Sequence, residues 1–304
     1  MLSRVTNQTI MASAQRNLQS SAAQLAKAQS QAMSLKVMDR PSDNPMAAAA
    51  SLQVRAQAAA ADQYGRNIDN GTSWLATIDT AMSNTNSLLN QVRDLTVQGG
   101  NGSLNQAAKD VLAGQLDSLK TDLLNQANTK FMGRNVFAGN SDATAAFVQT
   151  SAPGTGTSTV TYTGTPGAIV ERRIGPDTTV RVDADGDAIF GSKGAAGSVF
   201  SLLDSIASDL RKGLDPTAHL TEVDARMTTV RGQQADMGAR QAQILKAKDT
   251  NVELQGSLEA NRAGIEDLDL GKAILDLQLQ QVNYQAALAV TAKVLPQTLM
   301  DFLR

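Results

Sequence analysis

The sequence has 304 residues, 27 Lys plus Arg against 29 Asp plus Glu, no Cys, one His and a formal net charge of −2. This balance gives no electrostatic reason to bind nucleic acid or an anionic membrane, and the lack of Cys excludes disulfides, thiolate catalysis, iron–sulfur clusters and Cys-ligated zinc. Aromatic residues make up 3% of the chain, too few for an ordinary compact globule of this length, which points to an elongated, helix-rich molecule.

In the first segment Met11, Ala14, Leu18, Ser21, Leu25, Ala28, Ala32 and Leu35 follow steps of three and four, the spacing of a coiled-coil seam. Much of that seam is small or polar. A second helix begins where Asn44 can cap and Pro45 can occupy the first helical position. Its row runs from Ala47 through Val54, Ile68, Leu75, Met82 and Leu89 to Val92, and Gly99-Gly100-Asn101-Gly102 ends it. Unbroken to Gln98, it spans roughly 80 Å at the helical rise. A third helix from Leu104 to about Asn128 carries Leu112, Leu116, Leu119 and Leu123 on one face, and the short Gly-containing loop before it makes the pair an antiparallel hairpin.

Between Val136 and Phe200 the period changes, and Thr159–Thr163, Ala168–Ile174 and Thr178–Asp183 read as short strands bounded by Gly and Pro. Further on, Leu220, Val223, Met227, Val230, Met237, Ile244 and Leu258 form a weaker row, broken by Gln234, Gln241, Lys248 and Asn251. The seam resumes with Leu268, Leu275, Leu279, Val282, Ala286 and Ala289, in a last helix expected to end near Pro296. The expected fold is mainly α with a small β insert: a helical bundle or coiled coil formed by the N- and C-terminal segments, with a central β-rich domain. Residues 1–40 with 264–304 form one helical layer, 41–135 with 201–263 a helical rod, and 136–200 the exposed insert. No run approaches the roughly 18 apolar residues of a membrane span. Met1–Gln8 shows no basic stretch leading into an apolar one, so no cleaved secretory signal is expected.

The catalytic inventory is empty. Asp183-Ala184-Asp185-Gly186-Asp187 begins like a calcium-binding loop, but Ala188 and Gly194 stand where that loop needs Gly and a bidentate Glu, so a hairpin turn is expected. His219, just after Pro216, is read as a surface or capping residue. Gly154-Thr155-Gly156 and Gly191-Ser192-Lys193 lack the remaining residues of nucleotide loops. Glu266, Asp267 and Asp269 read as a solvated helix face, and Arg172-Arg173 is too short a basic run for nucleic acid. No catalytic residue, metal ligand or cofactor is assigned.

Three stretches carry a resemblance. Arg40-Pro41-Ser42-Asp43-Asn44-Pro45 followed by Met46-Ala47-Ala48-Ala49 resembles the Pro-Ser-Asp-Asp-Pro-x-Ala-Ala segment of bacterial flagellar hook-filament junction proteins, the third hook-associated protein of the flagellin superfamily (FlgL type); position 44 departs, being Asn. Gln126-Ala127-Asn128-Thr129 and Arg134-Asn135-Val136-Phe137-Ala138-Gly139 are similar to further motifs of that family, and Tyr284–Leu288 through Leu303-Arg304 resembles the C-terminal helix shared with flagellin. Flagellin itself is the near alternative. Ser34–Pro41 lacks the turn pattern usual in flagellins, whereas the Leu303-Arg304 ending is closer to them. A non-flagellar coiled-coil protein is the remaining alternative.

The resemblance implies a structural, non-enzymatic component of the flagellum, exported without a cleaved signal through the flagellar type III apparatus. It implies an inner layer of first and last helices, an assembly seam at Leu18, Leu25, Leu35, Leu275, Leu279, Val282 and Ala286, and a loop motif at Pro41, Ser42, Asp43, Asn44 and Pro45. The partners implied are other copies of the chain, the adjacent junction protein, flagellin and an export chaperone. The apolar tail residues Leu295, Leu299, Met300, Phe302 and Leu303 are candidate chaperone contacts. Seams this poor in large side chains predict terminal helices that become ordered on meeting neighbours.

Overall fold

A computed structural model describes residues 2–151, 158–165, 167–191 and 197–302, with side chains over 9–150, 158–165, 167–191 and 197–293. The elements in chain order are α1 (Leu2–Ser34), α2 (Pro45–Gly99), α3 (Gln106–Ala127), β1 (Lys130–Phe131), β2 (Arg134–Asn135), β3 (Phe147–Ser151), β4 (Ser158–Tyr162), β5 (Glu171–Arg173), β6 (Thr179–Arg181), α4 (Gly186–Phe190), α5 (Val199–Arg211), α6 (Leu220–Glu266) and α7 (Leu270–Phe302). The mainly α fold with a small β insert expected from the sequence is the fold observed. Two compact units divide it, residues 61–253 and residues 1–60 with 254–304, and both boundaries fall inside long helices.

The larger unit is built on one continuous core. Ile68, Leu75, Ile78, Met82, Leu89 and Val92 of α2 pack in it with the leucines of α3, with Phe200, Leu203, Ile206 and Leu210 of α5, and with Val223, Met227, Val230, Met237 and Ile244 of α6. The rows expected on α2, α3 and α6 are the buried ones there, because a spacing of three and four keeps one face of each helix on the core. Asn105 caps α3 by accepting the Ala108 N–H at 2.8 Å, and Ser198 caps α5.

Among the described residues three antiparallel pairs form, β1–β2 just before the insert and β3–β4 and β5–β6 within it. The sequence reading finds β4, β5 and β6 but not β3, whose pairing runs from Phe147 opposite Tyr162 to Ser151 opposite Ser158. Asn128 holds β3 in place: its Oδ1 accepts the N–H groups of Ala146 and Phe147 at 2.7 and 2.8 Å, and its Nδ2 donates to the Phe147 carbonyl at 2.8 Å. Phe137, Phe147, Phe190 and Phe200 meet in the core at ring separations between 5.3 and 6.1 Å. Gly139 has a left-handed φ of 62°, and a Cβ there would lie 2.8 Å from the Ala168 carbonyl oxygen. Both conditions demand glycine.

The Asp183–Asp187 run corrects the expected hairpin turn. Asp183 is buried and accepts the Val170 N–H and the Arg181 guanidinium, while Asp185 caps α4 through the N–H groups of Asp187 and Ala188. A carboxylate one residue before a helix satisfies its free N–H groups better than a turn does. His219 ends the single turn Pro216–His219 and lies 2.9 Å from Asp209.

In the smaller unit α1 and α7 pack side by side, and the end of α1 meets the start of α7. The half-buried row of α1 is Ala14, Leu18, Ser21, Leu25, Ala28 and Ala32, as the spacing predicts, while Met11 and Leu35 at the two ends of the expected row are exposed. On α7 the covered row is Ala273, Leu277, Gln280, Tyr284, Ala287 and Thr291, two residues out of step with the expected one. Helix α7 also continues through Pro296 to Phe302, at the cost of one ladder hydrogen bond. No helix among the described residues is long and apolar enough to cross a membrane.

Candidate functional site

The smaller unit contains the Pro41–Pro45 motif, in the connection between α1 and α2. Helix α1 stops at Leu35, whose φ of 55° is a left-handed termination. The chain then pairs with the turn between α6 and α7: Val37 N–H donates to the Glu266 carbonyl at 2.9 Å, Leu268 N–H donates to the Leu35 carbonyl at 3.0 Å, and Lys36 lies opposite Asp267. The two chain crossings thus form a short antiparallel bridge.

Side chains fix each half. Ser30 and Ser34 donate to the Asp39 carboxylate at 2.5 and 2.8 Å, and these bonds hold its pKa below the ordinary value. Asp43 accepts the Arg40 N–H at 3.1 Å, which lowers its pKa in the same way, and Lys27 lies 3.4 Å away. Asn44 accepts the Ala47 N–H at 3.1 Å, with Pro45 next to it, so the expected cap of α2 is the observed one. Asp269 begins α7 by accepting the Gly271 and Lys272 N–H groups.

Glu266 joins the halves and overturns its reading as a solvated residue. Only 7% exposed, it accepts Arg55 Nε and Nη2 on its two oxygens at 2.7 and 2.6 Å and the Ser51 hydroxyl at 2.5 Å. The Arg55 bonds, then Ser51, push its pKa down to about 2. Nothing local in the sequence marks this role, since its partners lie on α2, more than 200 residues upstream; Ser51 and Arg55 on one helical face, four residues apart, are the only trace. A cleft of about 340 Å³ beside the pair is lined by Met38, Asp39, Arg40, Pro41 and Leu52 among others. Arg55 and Glu266 are paired with each other and Asp39 is already bonded by two serines, an arrangement that locks chain crossings together; Lys36 and Arg40 line the same cleft with no carboxylate in salt-bridge reach among the described residues.

The expected seam residues of α7 are not brought against α1. Leu275, Leu279 and Val282 are 66, 56 and 61% exposed, and Ala286 is exposed as well. They line an outward apolar stripe parallel to the covered one. The side chains of Leu295, Leu299, Met300 and Phe302, and Leu303 altogether, lie outside the described residues. No group of three His, Cys, Asp or Glu residues placed to hold a metal occurs among the described residues.

The model of the bacterial flagellin N-terminal helical region matches residues 5–142, and that of the flagellin C-terminal helical region matches residues 220–303. Together the two halves of one family account for well over half of the chain. The chain belongs to the flagellin family. Flagellin of Bacillus subtilis is 26% identical over 282 residues, which cover 88% of each chain. Among solved structures, the flagellar junction protein FlgL from Legionella pneumophila superposes with a TM-score of 0.58 at 16% identity, covering 72% of this chain and 100% of that one. FlgL of Bacillus cereus gives 0.57 at 19% identity, covering 69% of this chain and 99% of that one. The flagellin-family fold therefore accounts for both terminal helical segments, and the bridge at Glu266 joins the two regions that the family models match separately.

Proposed function

We propose that this flagellin-family chain is a structural, non-catalytic component of the bacterial flagellum that joins the hook, through the neighbouring junction protein, to the flagellin filament. The observation that carries the reading is the likeness in fold to junction proteins over nearly their whole length, together with the Pro41–Pro45 motif. Residues 1–40 and 264–304 make the inner layer of the array, 41–135 with 201–263 its rod, and 136–200 the exposed insert.

The outward stripe of Leu275, Leu279, Val282 and Ala286 supports self-assembly, because a repeated subunit that offers one surface to a different surface of its neighbour builds a helical, non-closing array. Leu18 and Leu25 hold α1 to α7 within the chain, and the α7 stripe meets other copies. The C-terminal residues Leu295, Leu299, Met300, Phe302 and Leu303 engage an export chaperone before assembly. A second reading, the filament subunit itself, is favoured by the 26% identity to a flagellin.

Deletion of the gene separates the two. Bare hooks with abundant flagellin in the medium mark a junction protein, since filament subunits are then exported with nothing to polymerise on. Bare hooks with no flagellin anywhere identify the filament subunit, and intact filaments refute both readings.

A further inference from the structure

The larger unit has a cleft of about 720 Å³ between α3, α5 and the β3–β4 pair, and among the described residues every one lining it is polar. On α3, Leu116, Leu119 and Leu123 are buried in the core, while Asp117, Lys120 and Thr121 line the cleft. On α5, Leu203, Ile206 and Leu210 are buried and Asp204, Ser208 and Arg211 line it from the other side. Spacings of three and four put each set on one helical face. A polar row on a helix ordinarily faces open water; here two such rows face each other.

The cleft floor is built from crossed ion pairs. Lys120, with its side chain 7% exposed, donates to both oxygens of Asp204 at 2.7 Å and to Ser158 Oγ at 3.0 Å. Arg211 pairs with Asp117. These pairs cancel two positive charges against two negative ones. Lys212 is left as the lining cation with no carboxylate partner among the described residues. Ser158, Ser208 and Gln149 add groups that both donate and accept.

Clefts for apolar ligands are lined mostly by apolar side chains, so the complement of this one is a molecule with many hydroxyls. We propose that the cleft between α3 and α5 binds a disaccharide-sized segment of an acidic glycan. The sugar hydroxyls exchange hydrogen bonds with Asp117, Asp204, Ser208 and Gln149, and the sugar carboxylate pairs with Lys212. Among the described residues no aromatic ring lines the cleft, so recognition rests on hydrogen bonds and charge and is correspondingly weak for a single site.

The test titrates the full-length chain with digalacturonate, with the neutral disaccharide cellobiose and with inorganic phosphate, following backbone amide shifts. Digalacturonate is expected to give saturable shifts at millimolar concentration confined to residues 117–121, 149, 158 and 204–212, with cellobiose several-fold weaker. Lys212→Glu, an exposed change at the rim, is expected to weaken digalacturonate about fivefold and leave cellobiose unchanged, as suits one screened charge contact. Ser208→Ala weakens both sugars. No saturable shift with digalacturonate, or shifts spread outside these residues, overturns the proposal. An equal response to phosphate makes the cleft a plain anion site and overturns the glycan assignment.

Discussion

Arg55 and Glu266, 211 residues apart in the chain, form a two-pronged pair in which Nε and Nη2 reach separate carboxylate oxygens at 2.7 and 2.6 Å. Such planar pairing fixes orientation as well as distance. It sets the turn before α7 against the first turns of α2, next to the backbone bridge from Leu35 to Val37.

The pair predicts a pH dependence. Arg55 and Ser51 hold Glu266 at about 2, below its ordinary 4.5. A carboxyl group lowered by folding stabilises the folded state fully above its unfolded pKa and loses that contribution as pH falls through the folded one. After correction for intrinsic rates, the Val37 and Leu268 amides are expected to keep constant protection above about pH 4.5 and to lose it progressively from there towards pH 2. Glu266→Gln is expected to cost on the order of 1–2 kcal/mol of local stability at neutral pH and to flatten that profile. A Glu266→Gln profile that tracks the parent chain removes the pair from this role.

The cap of α2 is open to a conservative comparison. Asn44→Ala removes the acceptor for the Ala47 N–H and is expected to cost about 1 kcal/mol, whereas Asn44→Asp keeps it and stays close to the parent. Thermal denaturation of the three proteins side by side decides; equal losses for both variants mean that the side-chain cap contributes nothing.

Two neighbouring leucines of α7 are expected to behave differently. Leu277 belongs to the row covered by α1, and Leu279 to the exposed stripe. Leu277→Glu places a charge between the helices and is expected to lower the amide protection of residues 9–34 and 270–293 in the free chain. Leu279→Glu leaves that protection intact and abolishes growth of the array, read by sedimentation and electron microscopy. Normal assembly of Leu279→Glu contradicts the outward seam.

Phe147 touches Tyr162, Phe190 and Phe200 and is 2% exposed. Phe147→Ala is expected to cost about 3–5 kcal/mol, as large core truncations do, with loss of the near-ultraviolet circular dichroism of the insert. A loss below about 1 kcal/mol indicates that the aromatic cluster is not a shared core.

The sequence made the long helices legible because each signal is local. The α2 row from Ala61 to Val92 needs only spacing, and its ends need only Asn44, Pro45 and Gly99. Helix α5 falls almost wholly within the stretch 201–263 expected to be helical, but its bounds are not legible although Val199, Leu203, Ile206 and Leu210 carry the same spacing, because Gly-rich stretches and short strands around it mask the period. On α7 two apolar rows lie side by side, and periodicity cannot say which of them a small-residue partner such as α1 covers. The burial of Glu266 is not legible in its own stretch because burial of a carboxylate is decided by a partner, and its partner Arg55 is remote in the chain. The bridge between the two turns likewise has no signature in either segment alone.

That bridge also has a consequence for the order of folding. Leu35 accepts its hydrogen bond from Leu268 and Val37 donates to Glu266, so these contacts close a loop of more than 200 residues. Closure over such a distance comes late, after local helices and hairpins have formed. A chain still emerging from the ribosome has no partner for α1 until the second of these turns has been made, and for most of synthesis the row from Ala14 to Ala32 faces water.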